Sequence, residues 1–190
     1  MSRIINLTQP LCLNTDVGPI YIIPLVLILS KAVSRPVIDE LVRELGSIRN
    51  VNIVLYNEEF VINALHVIHS INVGLRCYER GPRIAKKLEL NILCLMAAES
   101  QISAALDKMF GRPFRTLGIV VLCKDSDSSS ISDSIRQLLQ VVESKLPIVD
   151  VVLSFKCSKF MLKPHDVCEY AKDVIDILQC ISETVLDKVR

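Results

Sequence analysis

LRCYERGPRIAKKLELNILCLMAAESQISAAL, Leu75 to Leu106, changes character twice within one stretch. Arg76, Arg80, Arg83, Lys86 and Lys87 crowd into its first part. The run from Leu88 to Ala98 is then almost continuously apolar, and a small polar turn containing Gln101 follows. How the apolar run is read decides the fold. Short and bounded by turn residues, Leu90–Met96 reads as a strand buried in the core.

Working outward, four more segments have the β-branched, short-run look of strands: Ile20–Leu29, Val51–Tyr56, Leu117–Cys123 and Val149–Phe155. Helical patterns fill the gaps. Pro36 opens one that runs to Leu45 and stops at Gly46. A long helix is expected from Glu58 to Glu79, ending at Gly81-Pro82. Others are expected over Gln101–Phe110, stopped by Gly111, and over Ser130–Ser144. The last runs from Pro164 to the end of the chain, where Val167, Ala171, Val174, Leu178, Ile181 and Val185 recur at three-to-four spacing. The first eighteen residues, with Pro10, Asn14, Asp16 and Gly18, read as irregular. Asp125–Ser130 reads as a polar tract capping the helix behind it. Alternating strands and helices suggest by default βαβ units and a parallel sheet.

At 190 residues the chain is expected to form one domain. Hydrophobic residues are 51% and charged residues 23%, the balance of a globular protein with a large aliphatic core. The most apolar segment, Ile20–Leu29, is too short to span a bilayer, carries Pro24, and has no basic lead-in or cleavage site, so neither a membrane span nor a signal peptide is expected. The seven cysteines, Cys12, Cys77, Cys94, Cys123, Cys157, Cys168 and Cys180, form no C-x-x-C pair. Free buried thiols of a cytoplasmic protein are the expectation, with a single disulfide as the alternative.

Chemistry-bearing motifs are absent from the sequence. The six glycines form neither G-x-x-x-x-G-K-[ST] nor G-x-G-x-x-G, and no serine sits in a G-x-S-x-G elbow. His66 and His69 lie three apart on an expected helix without a third ligand on that face. Asp166, behind Pro164 and His165, is an ordinary first-turn acid. No catalytic residue, metal, cofactor or small-molecule substrate is expected.

The basic cluster is the one feature left without an ordinary explanation. Arg76 to Lys87 holds five positive residues and one negative, Glu79, for a net +4 that the overall +1 conceals. On a helical wheel Ala64, Val67, Ile68, Ile71, Leu75 and Tyr78 point toward a core, while His69, Arg76 and Arg80 fall together on another side. A solvated face would mix signs. One sign dominates here, which points to a polyanion. Aromatics are 5% and Trp is absent, so extended base stacking is not expected. Arginines gripping a few phosphates, with one or two bases read by the polar turn at Gln101, fit better.

The residues Asn63-Ala64, Arg83-Ile84-Ala85, Leu88-Glu89-Leu90-Asn91-Ile92-Leu93, Gln101-Ile102 and Gly111 resemble a known family. It is the archaeal and eukaryotic small kinase-binding subunit of the KEOPS complex, also called PRPK-binding protein. Ile181–Val189 looks like that family's C-terminal helix. At Ser100 members often carry a basic residue. The resemblance implies an α+β fold with a mostly antiparallel central sheet flanked by helices, in place of the parallel default. It implies a non-enzymatic subunit of the machine that makes threonylcarbamoyladenosine (t6A) in tRNA. The partners implied are the small atypical kinase/ATPase of the complex and the 3′ CCA end of tRNA.

On that expectation Arg76, Arg80, Arg83, Lys86, Lys87 and Gln101 bind tRNA. Val185, Leu186 and Val189, in the final helical turns, bind the kinase. Two other readings stay open: a regulatory subunit of a kinase that does not bind RNA, and an enzyme whose site carries no recognised motif.

Overall fold

The computed structural model describes residues 11–15, 18–62, 64–124 and 128–152. In chain order they form β1 (Leu11–Thr15), β2 (Gly18–Val33), α1 (Arg35–Leu45), β3 (Asn52–Asn57), a 3-10 turn (Glu58–Phe60) and α2 (Ala64–Arg80). These are followed by α3 (Leu88–Ala97), α4 (Ile102–Phe110), β4 (Phe114–Cys123), α5 (Ser128–Lys145) and β5 (Ile148–Val152). The strands make one sheet in the order β1-β2-β4-β3, with β5 also paired to β2. Every pairing among the described residues is antiparallel. The fold is α+β, as the resemblance implies, and the parallel default is corrected.

The reason lies in the helices between β3 and β4. His66, near the start of α2, meets Met96 at the end of α3, and Gly74 meets Asn91. The two helices are therefore an antiparallel pair that returns the chain to the end at which it left β3. β4 then enters with Leu117 beside Asn57 and runs back along β3. Sequence periodicity records α2 but neither α3 nor this reversal.

Leu90–Met96 is not a strand. It lies within α3, whose residues from Asn91 to Ala97 are all buried. A helix hydrophobic on every side shows no amphipathic period, so periodicity cannot tell it from a buried strand. Composition only leans toward helix, with leucine, methionine, alanine and glutamate favouring it and Ile92 the one β-branched residue in the segment. Ala98, in the left-handed conformation with φ 51°, ends the helix.

The expectation of irregular structure fails at Leu11–Thr15, which pairs with Gly18–Ile22 as a hairpin. Gly18 closes it at φ 109°, a backbone conformation that side chains resist. Pro24 sits inside β2, opposite Val120 of β4.

The other elements lie close to expectation. In α1, Ile38, Leu41 and Leu45 face the core. The long helix expected from Glu58 starts instead as the 3-10 turn, with Asn57 Oδ1 accepting from Glu59 N–H at 3.1 Å, and becomes α-helical only at Ala64. Lys145 of α5 reaches Glu40 and Glu44 of α1 at 2.6 and 2.8 Å, tying these two helices together. Cys77, Cys94 and Cys123 are buried, whereas Cys12 is exposed. The expected C-terminal helix, with His165, Asp166, Cys157, Cys168 and Cys180, lies outside the described residues, as do Asn63 and Asp125–Asp127. No helix among the described residues is long and apolar enough to cross a membrane.

Candidate nucleic-acid interface

Helix α2 sorts its residues by depth. Val67, Ile71 and Leu75 are buried, with Ala64, Ile68 and Tyr78 half-buried, so the apolar face found on the wheel is real. A second buried line, His66, Ser70, Gly74 and Cys77, packs α2 toward α3. The wheel misses it because small and polar residues carry little hydropathy. The close approach is visible at Gly74, where an added Cβ would stand 2.6 Å from the Ile92 side chain. Arg76 and Arg80 remain exposed, and His69 is half-buried.

Behind Arg80 the chain alternates sides. Arg83 is exposed, Ile84 and Ala85 are buried, Lys86 and Lys87 are exposed, and Leu88 is buried. Ile84 and Ala85 hold the loop by their side chains and by their backbone. Their N–H groups donate to Asn91 Oδ1 at 2.9 and 3.4 Å, while Asn91 Nδ2 donates to the Gly74 carbonyl at 2.9 Å. Asn91 is itself fully buried. One amide side chain thus joins the basic loop, α3 and α2, with its oxygen and its nitrogen both used. The five cations stand on a fixed backbone.

Arg83 is held further by Tyr78: its guanidinium lies over the Tyr78 ring, 4.4 Å from the centroid. An arginine on an aromatic face gains from the ring's negative face and keeps its N–H edges outward. Arg76, Arg83, Lys86 and Lys87 make no ion pair with a described residue. Their charge is not neutralised within this part of the molecule.

Gln101 is exposed and stands just before α4, but it is not beside the lysines. Lys87 and Gln101 flank α3 at opposite ends, and a ten-residue helix is about 15 Å long. The turn near Gln101 is closed by Lys108, which donates to the Ala97 carbonyl at 2.6 Å and to Glu99 at 3.1 Å. Because α2 runs antiparallel to α3, it is the His66–His69 end of α2 that approaches this turn.

His66 donates from Nε2 to the Met96 carbonyl at 3.1 Å, and Ser70 donates its hydroxyl to the His66 carbonyl at 2.9 Å. Burial pushes the pKa of His66 down, and the same holds for His69, where the Arg76 charge adds to the effect. Among the described residues no group of three His, Cys, Asp or Glu side chains is placed to hold a metal ion.

Lys87 also helps wall a cleft of about 320 Å³ between α1, β3, α3 and α4, lined chiefly by Ile38, Val42, Ile53, Leu93 and Phe110. The sequence reading missed the roles of Tyr78, counted as core, and Asn91, placed in a strand. The signal for Tyr78 was an arginine five residues behind it, across a Gly-Pro break. Val185, Leu186 and Val189 lie outside the described residues.

No family model matches the chain, and no curated protein matches it.

Proposed function

We propose that the chain is a non-catalytic, cytoplasmic subunit of a KEOPS-type assembly that holds the unpaired 3′ CCA end of tRNA during t6A modification and docks the small atypical kinase of that assembly. One observation carries the RNA part. Arg76, Arg80, Arg83, Lys86 and Lys87 are all exposed at the end of α2 and in the loop before α3, on a backbone that Asn91 pins. A fixed group of cations spaced along a helix end and a loop suits a bent, single-stranded phosphate backbone. The resemblance around Arg83–Leu93 and Gln101-Ile102 supplies the identity of the strand.

The distance from Lys87 to Gln101 shapes the reading. Gln101 is too far along α3 to act on the same phosphates as Lys86 and Lys87. It belongs to the proposal only as the far end of a track followed by more than one nucleotide. Kinase docking rests on the resemblance and on the apolar residues Val185, Leu186 and Val189.

The test is a gel-shift series with intact tRNA and tRNA lacking its 3′ tail. Intact tRNA is expected to bind more tightly. If three phosphates of a single strand are held, log affinity falls against log salt with a slope of about −2, from roughly −0.7 for each phosphate. Equal binding of both tRNAs would remove tail capture. Kinase binding without RNA binding would leave a protein-interaction subunit.

A further inference from the structure

Of the five cations, Arg83 is in a different situation from the rest. Its guanidinium carbon stands over an aromatic ring, 4.4 Å from the centroid, and its backbone is continuous with the two N–H groups that a buried asparagine holds. It makes no ion pair or hydrogen bond to a described residue. A cation meant only to neutralise phosphate gains nothing from this, since a mobile lysine serves as well. Fixing the plane of a guanidinium matters when the plane itself is read.

We propose that Arg83 is a base-stacking residue: its guanidinium, backed by Tyr78 and set in place through Asn91, takes one unpaired base on the side away from the ring. This rests on the reading of the cluster as a single-strand RNA interface, and names the contact that distinguishes RNA from any other polyanion. Guanidinium planes stack on nucleobases as they do on aromatic side chains, and an unpaired base has a face to offer that a duplex does not. Tyr78 and Asn91 are positioning residues that act through Arg83. The ring removes the rotational freedom that a free arginine would lose on binding, and Asn91 keeps the 84–85 backbone from shifting the arginine off the ring. Phosphates on either side of the base then fall to the neighbouring cations Arg80 and Lys86. The low aromatic content of the chain is no obstacle, because one tyrosine supports the platform.

The experiment uses the full chain and two probes: a labelled single-stranded RNA ending in CCA, and the same strand with abasic residues in place of those three bases. Both keep their phosphates. The wild type is expected to bind the abasic strand about tenfold more weakly, the scale of one lost stack. Arg83→Lys keeps the charge, so its salt slope is unchanged, but it binds both strands alike and as weakly as the wild type binds the abasic one. Tyr78→Phe keeps the ring and the base preference, whereas Tyr78→Leu loses the preference with an unchanged salt slope. A preference for bases that persists in Arg83→Lys overturns the assignment, as does a wild type that binds both strands equally, in which case the phosphate interface still stands. A wild type that binds neither strand at low salt rejects the interface itself.

Discussion

The ring of Tyr56 occupies the space that a side chain on Gly118 would need. The two residues face each other across β3 and β4, and a Cβ built on Gly118 would clash with the outer end of the phenol ring. Tyr56 is fully buried there, and burial, with the Glu58 carboxylate adding to it, drives its pKa well above the ordinary tyrosine value. Gly118→Ala is therefore expected to cost about 1–3 kcal/mol, the range for overpacking a core, by pushing the ring off its place. Urea unfolding would read it, with the midpoint falling and the slope unchanged. A neutral substitution would mean that the two strands separate easily.

Asn91 should prove more costly to replace than any exposed residue of the interface. Asn91→Leu preserves bulk but leaves the N–H groups of Ile84 and Ala85 and the carbonyl of Gly74 without their partner. Each buried group left unsatisfied costs about 1–3 kcal/mol. Hydrogen exchange at Ile84 should accelerate well beyond that in the β4 core. Protection equal to the wild type would show that the loop is held by its apolar side chains alone.

Arg76→Glu with Arg80→Glu should remove most RNA binding while the melting temperature stays near the wild type. Both residues are exposed, and substitutions at such positions usually change stability by no more than about 0.5 kcal/mol. A large loss of melting temperature would make these arginines structural.

Acid should destabilise the protein through His66. Burial holds its folded pKa below the ordinary 6.5, with His69 shifted in the same direction. Below pH 6.5 the unfolded chain therefore binds more protons than the folded one. Stability contributed by the neutral imidazole is complete above that pH and is lost as pH falls toward the folded pKa. His66→Gln should flatten this part of the stability profile; an identical slope in the variant would assign the acid sensitivity to other groups.

For the kinase contact, Leu186→Asp is expected to weaken binding of the small kinase about tenfold or more. Burying one leucine is worth roughly 1.5–3 kcal/mol, and 1.4 kcal/mol is a factor of ten. RNA binding should survive. Unchanged affinity in calorimetric titration would exclude Leu186 from the contact.

Features that depend on neighbours along the chain are legible without the fold. α1 and α4 were legible because their ends carry Pro36, Gly46 and Gly111 and their apolar residues recur with the helix period. β4 was legible as a run of β-branched residues. The five cations were legible as a cluster because a helix end and a short loop cannot separate residues so close in sequence. Features that depend on residues far apart follow from how the elements pack. LELNILCLMA is apolar on every side, so its period is silent, and it is packing between α2, β3 and α4 that makes a helix of it. The antiparallel order follows from the return of α3 along α2. The span between Lys87 and Gln101 follows from the length of that helix, and the stack of Arg83 on Tyr78 from the loop that Asn91 ties down. Local propensity acts over a few residues, whereas the burial that selects among its alternatives is a property of the assembled core.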